Sequence, residues 1–384
     1  MKPTIEELQG RIDILSKKKG EFETALAKLF GVTHESKIVT DSRGFQRVIQ
    51  RAALPETALA FESLGEAFST YTGGANPADF DRVRQIYGGP EFLSALGTVL
   101  NKLLLKDYPL GDYHWRDLVA QIDSVDNFQP QDAVRLRYFS DLPEVGEDEL
   151  YAEVIAHGDE KVTFSVTTRG ALLFVTRRAI MGNDVGGIQR AVEQIRRAAW
   201  RTLAKQAWAK LISNGTYGVD GLALFHVDHG NLGSSALDVA ALNAARAAIF
   251  AQKEPGAGER MGLSGPFMLA VPIELEPTAF AIALCDQIGG SPNPWRGRFG
   301  PQGERVFANP LMVDAEDWIL FDVSGDAGLI EIGFLGGRQE PLVIIANNPR
   351  EGQAFTQDRV IYKTTQEYGL TIADYRGAYK AVVI

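Results

Sequence analysis

Apolar residues recur at helical spacing through residues 4–30, at Ile5, Leu8, Ile12, Leu15, Phe22, Leu26 and Leu29. This is an a/d stripe interrupted at Lys19, with Glu6, Glu7, Lys17, Lys18 and Lys19 on the other faces and Gly31 as a stop. Such a helix packs either on its own domain or on a neighbouring copy or other partner. Residues 32–74 read as helical pieces, Gly44–Ala53 and Pro55–Phe68, ending at Thr72-Gly73-Gly74. A second helical region runs from Asn76 to Leu105, split at Gly88-Gly89-Pro90 and striped by Leu93, Leu96, Leu100, Leu103 and Leu104.

The pattern changes over residues 127–172. Val162–Gly170 and Leu172–Arg177 alternate with period two and are rich in β-branched residues, and between them and Asn127 lies an acidic centre, Glu144, Glu147, Asp148 and Glu149. This predicts a long two-stranded excursion. Because an isolated ribbon is marginal in water, it is expected to lie on something else.

Residues 184–214 carry the strongest helical pattern. Asn183 or Asp184 can cap it, and Ile188, Val192, Ile195, Ala199, Leu203, Ala207 and Leu211 form one stripe. At about 1.5 Å per residue the rod is roughly 45 Å long. Arg190, Arg197, Arg201 and Lys205, with Arg196 and Lys210, make its other side basic. That side either is solvated or contacts nucleic acid or acidic neighbours. Beyond it the pattern is mixed: helices at Val239–Gln252 and Pro277–Ile288, strands at Phe267–Val271, Arg305–Ala308, Trp318–Asp322, Leu329–Leu335 and Val360–Tyr368, and a closing strand after Asp374.

Composition narrows the function. With 39 basic against 49 acidic residues, the net charge of −10 disfavours a chain that wraps nucleic acid, though local basic faces remain. Cys285, the single cysteine, reads as a small buried hydrophobe. No secretory segment is visible at Met1–Glu7, and no apolar run is long enough to span a membrane.

His226, Asp228 and His229 invite a metal-site reading. Zinc needs three or four converging ligands, yet Cys285 stands alone and His34, His114 and His157 are scattered. The favoured alternative is a tight turn in which these side chains bond backbone, with Gly230-Asn231 supplying unusual φ/ψ. No nucleophile elbow, P-loop or dinucleotide fingerprint occurs. No catalytic, cofactor or metal residue is therefore assigned.

Several words, in order, resemble the major capsid proteins of tailed phages of the Hong Kong 97 type, and in particular the branch of Mu-like prophage head subunits. They are Asn127-Phe128-Gln129-Pro130, Leu142–Glu147, Arg177–Ile180 with Asn183-Asp184, Ala223–Leu232 (Ala-Leu-Phe-His-Val-Asp-His-Gly-Asn-Leu), Leu269–Pro272 with Leu275-Glu276, and Asp374–Lys380. The resemblance covers residues 125–384, and nothing named resembles residues 1–75. It implies an α+β fold with an N-terminal helical extension (1–75), an N-arm (76–135), an extended β-hairpin loop (136–172), a peripheral domain with a long spine helix (173–235 and 321–384) and an axial domain (236–320). His226, Asp228, His229 and Asn231 would shape the corner between spine and axial domain. Glu144, Glu147, Asp148, Glu149 and Lys161 would meet a neighbouring subunit.

The implied function is an icosahedral shell around double-stranded DNA, made of pentamers and hexamers and joined by a portal and by scaffold or decoration proteins, without membrane or cofactor. The protein would assemble in the host cytoplasm and reside in the virion. Alternatives are an encapsulin-like compartment and a metal-dependent enzyme using His226, Asp228 and His229. Some relatives cross-link Lys to Asn; Lys161 has no partner motif, so that chemistry is not carried over. A chain starting at Met1 is expected to keep its N-terminal helix rather than lose it to a protease.

Overall fold

The computed structural model describes residues 18–57, 59–71, 89–105, 112–135, 160–176, 179, 182–254, 258–325, 327–345 and 359–383. Two mixed sheets, one long helix and a helical layer organise them.

The first helix, α1, covers residues 18–29, and Phe22, Leu26 and Ala27 on its inner face are buried together with Phe30. They pack with α2 (Leu64–Tyr71) and α3 (Gly89–Leu105) in one core that also takes Leu96, Val99 and Leu100. This half of the N-terminal stripe therefore packs within its own chain; residues 4–17 lie outside the described residues. Between α1 and α2 the chain forms a hairpin, β1 (His34–Thr40) with β2 (Gln46–Ala53), where a helix was expected over Gly44–Ala53. Local turn chemistry decides the difference. The Asp41 side chain accepts from the amides of Arg43 and Phe45 (2.9 and 3.0 Å), and Gly44 takes φ +83°, which closes the hairpin before a helix can start.

One sheet is built on β15 (Arg359–Ile372). Along one edge it pairs with β6 (Thr167–Thr176); along the other it pairs with β14 (Leu342–Ile345) and β13 (Ile330–Leu335), and β3 (Val119–Val125) adds to β13 in parallel. The expected ribbon is thus divided. Its second strand, β6, is part of this sheet, because its alternating residues find a ten-residue antiparallel partner in β15. Its first strand, β5 (Glu160–Phe164), pairs instead with β4 (Gln131–Arg135), with Arg135 opposite Glu160. The ribbon root lies on the sheet, since Gly333 and Gly369 leave room for the Phe164 ring; an added Cβ would come within 2.6 and 2.8 Å of it. Glu144, Glu147, Asp148 and Glu149 lie outside the described residues.

The long helix α4 (Val185–Ile212) has 28 residues, about 42 Å. Asp184 caps it by accepting from the Gly187 amide at 2.8 Å. Its first half buries Ile188 and Val192 against the core of α1–α3; its second half buries Trp200, Leu203, Ala207, Trp208 and Leu211 against both sheets. Ile195 and Ala199 on the expected stripe are only half-buried, and Trp200 and Trp208 take the deepest places.

After β7 (Leu232–Gly233) come α5 (Val239–Phe250), β8 (Phe267–Val271), α6 (Glu276–Leu284), the two-residue strands β9 (Gln287–Ile288) and β10 (Ser291–Pro292), β11 (Val306–Ala308), β12 (Trp318–Asp322) and β16 (Ala378–Ala381). The second sheet has the order β11-β8-β12-β16-β7. Strands β8 and β12 are buried at every position, which matches the apolar runs Phe267–Val271 and Trp318–Phe321; Asp322, the last residue of β12, is buried with them. Cys285, expected to be buried, is exposed: it follows the last turn of α6, past the point where the apolar face ends. No described helix is long and apolar enough to cross a membrane.

Candidate functional site

The site forms where α4 stops. Ser213 caps the helix through its amide to Ala209, and Asn214 turns the chain at φ +51°. The Asn214 amide group then clasps Phe225, donating to its carbonyl (3.0 Å) and accepting from its N–H (2.7 Å). Residues 215–225 therefore fold back as a loop, and the His-containing segment begins at its close.

His226, Asp228 and His229 have different surroundings. His226 is half-buried, and its Nδ1 accepts from the Asp228 amide at 3.2 Å; Asp228 itself is exposed. His229 is buried. Its Nδ1 lies 3.1 Å from the Leu224 carbonyl and its Nε2 lies 2.8 Å from the Asp220 carboxylate, so each ring nitrogen faces an acceptor. The His229 ring stacks on Tyr375 at 3.8 Å and 8°. Burial raises the pKa of Asp220, but the His229 hydrogen bond and the Leu222 amide oppose it, and the net position is below the ordinary carboxylate value. Asn231, 1% exposed, accepts from the His226 amide (3.0 Å) and donates to the carbonyls of Leu224 (2.9 Å) and Tyr375 (3.1 Å). Gly230 alone takes positive φ here (+65°); Asn231 contributes through its side chain rather than its backbone.

Next to this corner lies a buried ionic group that the sequence reading did not identify. Arg376 grips Glu160 with two prongs, 2.8 Å to Oε1 and 2.9 Å to Oε2, and also reaches Asp374 at 3.0 Å. All three residues are buried. The Tyr217 hydroxyl donates to Glu160 at 3.0 Å; burial first, and then the Glu160 charge, pushes its pKa far up and keeps it a donor. The Arg376 guanidinium lies 4.6 Å from the Tyr375 ring centre. Lys380 adds a second tie, 3.2 Å from Asp317 and 3.4 Å from the carbonyl of Ile212 at the end of α4, where a cation suits the helix dipole. The ribbon root, the loop after α4, the His turn and the segment before β16 thus meet in one place. The only hint in the sequence was the word Asp374-Tyr375-Arg376, whose distant partner Glu160 no local pattern reveals.

The remaining predicted residues are separate from it. Lys161 is exposed and pairs within its own chain, 2.7 Å from Asp132 across the β4–β5 ribbon, and it holds that carboxyl below the ordinary value. Arg190, Arg197, Arg201 and Lys205 are exposed along one stripe of α4. Among the described residues no three His, Cys, Asp or Glu side chains gather as a metal site would require.

The profile of a phage capsid protein family matches residues 159–381, which takes in α4, the His turn, the ionic group, the second sheet and all of the first sheet but β3. The chain belongs to that family. Its function is that of a major capsid protein, the subunit of a phage head shell, and its place is in the capsid of the virion; the nanocompartment and metalloenzyme alternatives are not favoured. No curated protein sequence matches it. Similar solved structures are the capsid of an empty GTA particle (13% identity over 72% of this chain and 91% of that one, TM-score 0.44) and the procapsid of bacteriophage JBD30 (13%, 77% and 76%, TM-score 0.44). A virus-like particle from Pyrococcus furiosus is similar at 14% identity, over 75% of this chain and 99% of that one, with a TM-score of 0.38. The family assignment rests on the profile match.

Proposed function

We propose that copies of this chain close into pentamers and hexamers of an icosahedral shell of the Hong Kong 97 type around packaged double-stranded DNA, in the Mu-like branch of that group. The observation that carries this reading is the family match across residues 159–381, the part that holds α4, the second sheet and most of the first. In the shell, residues 76–135 act as the arm, 136–159, the part of the expected loop that precedes the body strands β5 and β6, as the loop over a neighbour, 173–235 with 321–384 as the peripheral domain and 236–320 as the axial domain, with 1–75, which hold α1, the β1–β2 hairpin and α2, as an added extension. Glu144, Glu147, Asp148 and Glu149 meet basic groups of the next subunit. The exposed stripe Arg190, Arg197, Arg201 and Lys205 suits phosphate, whose contacts are sequence-independent. Assembly takes place in the host cytoplasm with portal and scaffold or decoration proteins, and the subunit performs no catalysis and holds no metal.

The test is electron microscopy of the expressed chain with scaffold and portal supplied, with and without chelator. Closed particles of uniform size in both conditions are expected, with interfaces large enough for a stable assembly. A chain that stays monomeric at high concentration refutes the shell, and particles that need metal refute the metal-free reading.

A further inference from the structure

Helix α4 and the first sheet leave a groove between them. Midway along the helix the two cores part: Val192 belongs to one and Trp200 to the other, and Ile195 and Ala199 between them are only half-buried. A crevice of about 560 Å³ opens there against Ala171, Leu173 and Thr364 of β6 and β15. A second, of about 420 Å³, follows toward the end of the helix at Gln206, Lys210 and Ser213. Arg169 lines both, so the two lie end to end. Protein interiors are close-packed, so an apolar stripe left open along a helix gains by taking a further surface.

The groove carries charge without counter-charge. Arg169 is half-buried, and its Nη1 donates to the carbonyls of Thr167 (3.3 Å) and Tyr368 (3.0 Å), which leaves the Nε and Nη2 donors over. Neither Arg169 nor the half-buried Lys210 meets a carboxylate among the described residues. Thr364, 3% exposed, has no partner there for its hydroxyl.

The same chain carries a surface of the opposite kind. Among the described residues Val313 is the most exposed large apolar side chain, at 91%, and Asp314, Ala315 and Glu316 beside it are exposed as well. Their loop, between β11 and β12, is shaped in advance. Asn309 accepts from the Leu311 and Met312 amides at 3.0 and 3.1 Å, and Asp314 accepts from the Glu316 amide at 3.1 Å. Asp317 at its end is buried against Lys380. Val227 and Ile273, the next most exposed, each stand beside a single exposed acid, Asp228 and Glu274.

We propose that the Val313–Glu316 loop of one copy seats in the α4 groove of a second copy, with Val313 against Ala198 and Ala199, Asp314 at Arg169 and Glu316 toward Lys210. The inference rests on the reading of the chain as a shell subunit. Groove and loop are different patches, so the contact repeats head to tail from copy to copy, the type that closes rings. Opposite charges fix its register, and a loop shaped before contact loses little freedom on binding.

The test uses the full chain with Cys285→Ser, which removes its single native thiol. Copies with Val313→Cys are assembled together with copies carrying Ala198→Cys, and the particles are oxidised and run on a non-reducing gel. Each copy holds one thiol, and a disulfide needs Cα atoms within about 7 Å, so a bond between the two positions reports contact between copies. Dimer is expected at least about tenfold above that from particles of either variant alone, and Val227→Cys or Ile273→Cys in place of Val313→Cys should stay at that background. Dimer no higher than background, or dimer from Val227→Cys or Ile273→Cys instead, overturns the proposal. Asp314→Lys/Glu316→Lys, at exposed positions, should lower particle yield about tenfold or more with the melting of the unassembled chain unchanged. Unchanged yield overturns it too. Failure of the parent to form particles removes the shell reading, and this contact with it.

Discussion

Asn231→Ala removes the side chain that joins three backbone segments. In the parent its amide group accepts from His226 N–H and donates to the carbonyls of Leu224 and Tyr375, at 2.9 to 3.1 Å. The Leu224 carbonyl keeps a partner in His229 Nδ1 at 3.1 Å and the Tyr375 carbonyl keeps one in the Ala378 amide at 3.4 Å, so the loss falls chiefly on the His226 amide. A buried group left without a partner costs about 1–3 kcal/mol, which sets the total. A chain with several cores does not unfold as one two-state unit, so the loss is read locally by native-state hydrogen exchange. The reporting amides are Leu224 (to Gly215 O, 2.8 Å), His229 (to His226 O, 3.1 Å) and Lys380 (to Asn231 O, 3.0 Å), with Leu269 (to Arg305 O, 2.8 Å) as a remote control. Their exchange should accelerate about 5- to 150-fold while the control is unchanged. A change below about threefold, or an equal acceleration at Leu269, would refute the reading of this corner as a local polar lock.

Trp208→Ala empties a fully buried site between Phe307 and Phe321 and strands the Tyr113 carbonyl that the indole N–H reaches at 2.5 Å; a loss of about 3–5 kcal/mol is expected in the local opening free energy of the surrounding amides, read by native-state hydrogen exchange of the unassembled chain, and a loss under about 1 kcal/mol contradicts it. Glu331 on β13 is raised to about 8, by burial first and then by Asp123 on β3. A carboxyl with a raised folded pKa stabilises the protein below its unfolded value and loses that contribution as pH rises through about 8. Melting temperature should therefore fall between pH 5 and pH 8 more steeply in the parent than in Glu331→Gln, and parallel profiles would exclude Glu331 as the source. Replacing Glu147, Asp148 and Glu149 together by alanine should lower particle yield with little change in monomer melting, and equal yield from parent and variant removes the loop-tip contact.

Elements whose periodicity agrees with their tertiary burial were readable in advance. Helix α4 is amphipathic along its whole length, and its cap, Asp184, stands at its start; β8 and the first four residues of β12 are apolar runs, and both strands are buried on both faces. The hairpin β1–β2 was not readable, because Gln46–Ala53 carries no clear period and its strand state is decided by the Asp41–Gly44 turn. The division of the expected ribbon was hidden for a different reason. Alternation places β5 and β6 in strands but says nothing about partners, and β15, which claims β6, lies almost two hundred residues away.

The same limit explains the site. His226, Asp228 and His229 attract notice because they are adjacent, yet their environments differ: Asp228 is in water, while His229 is enclosed by Asp220, Leu224 and Tyr375. Metal ligands must converge on a point, whereas these side chains face separate backbone and carboxylate partners. The group with the most demanding geometry, Arg376 with Glu160, joins residues that no sequence window contains together.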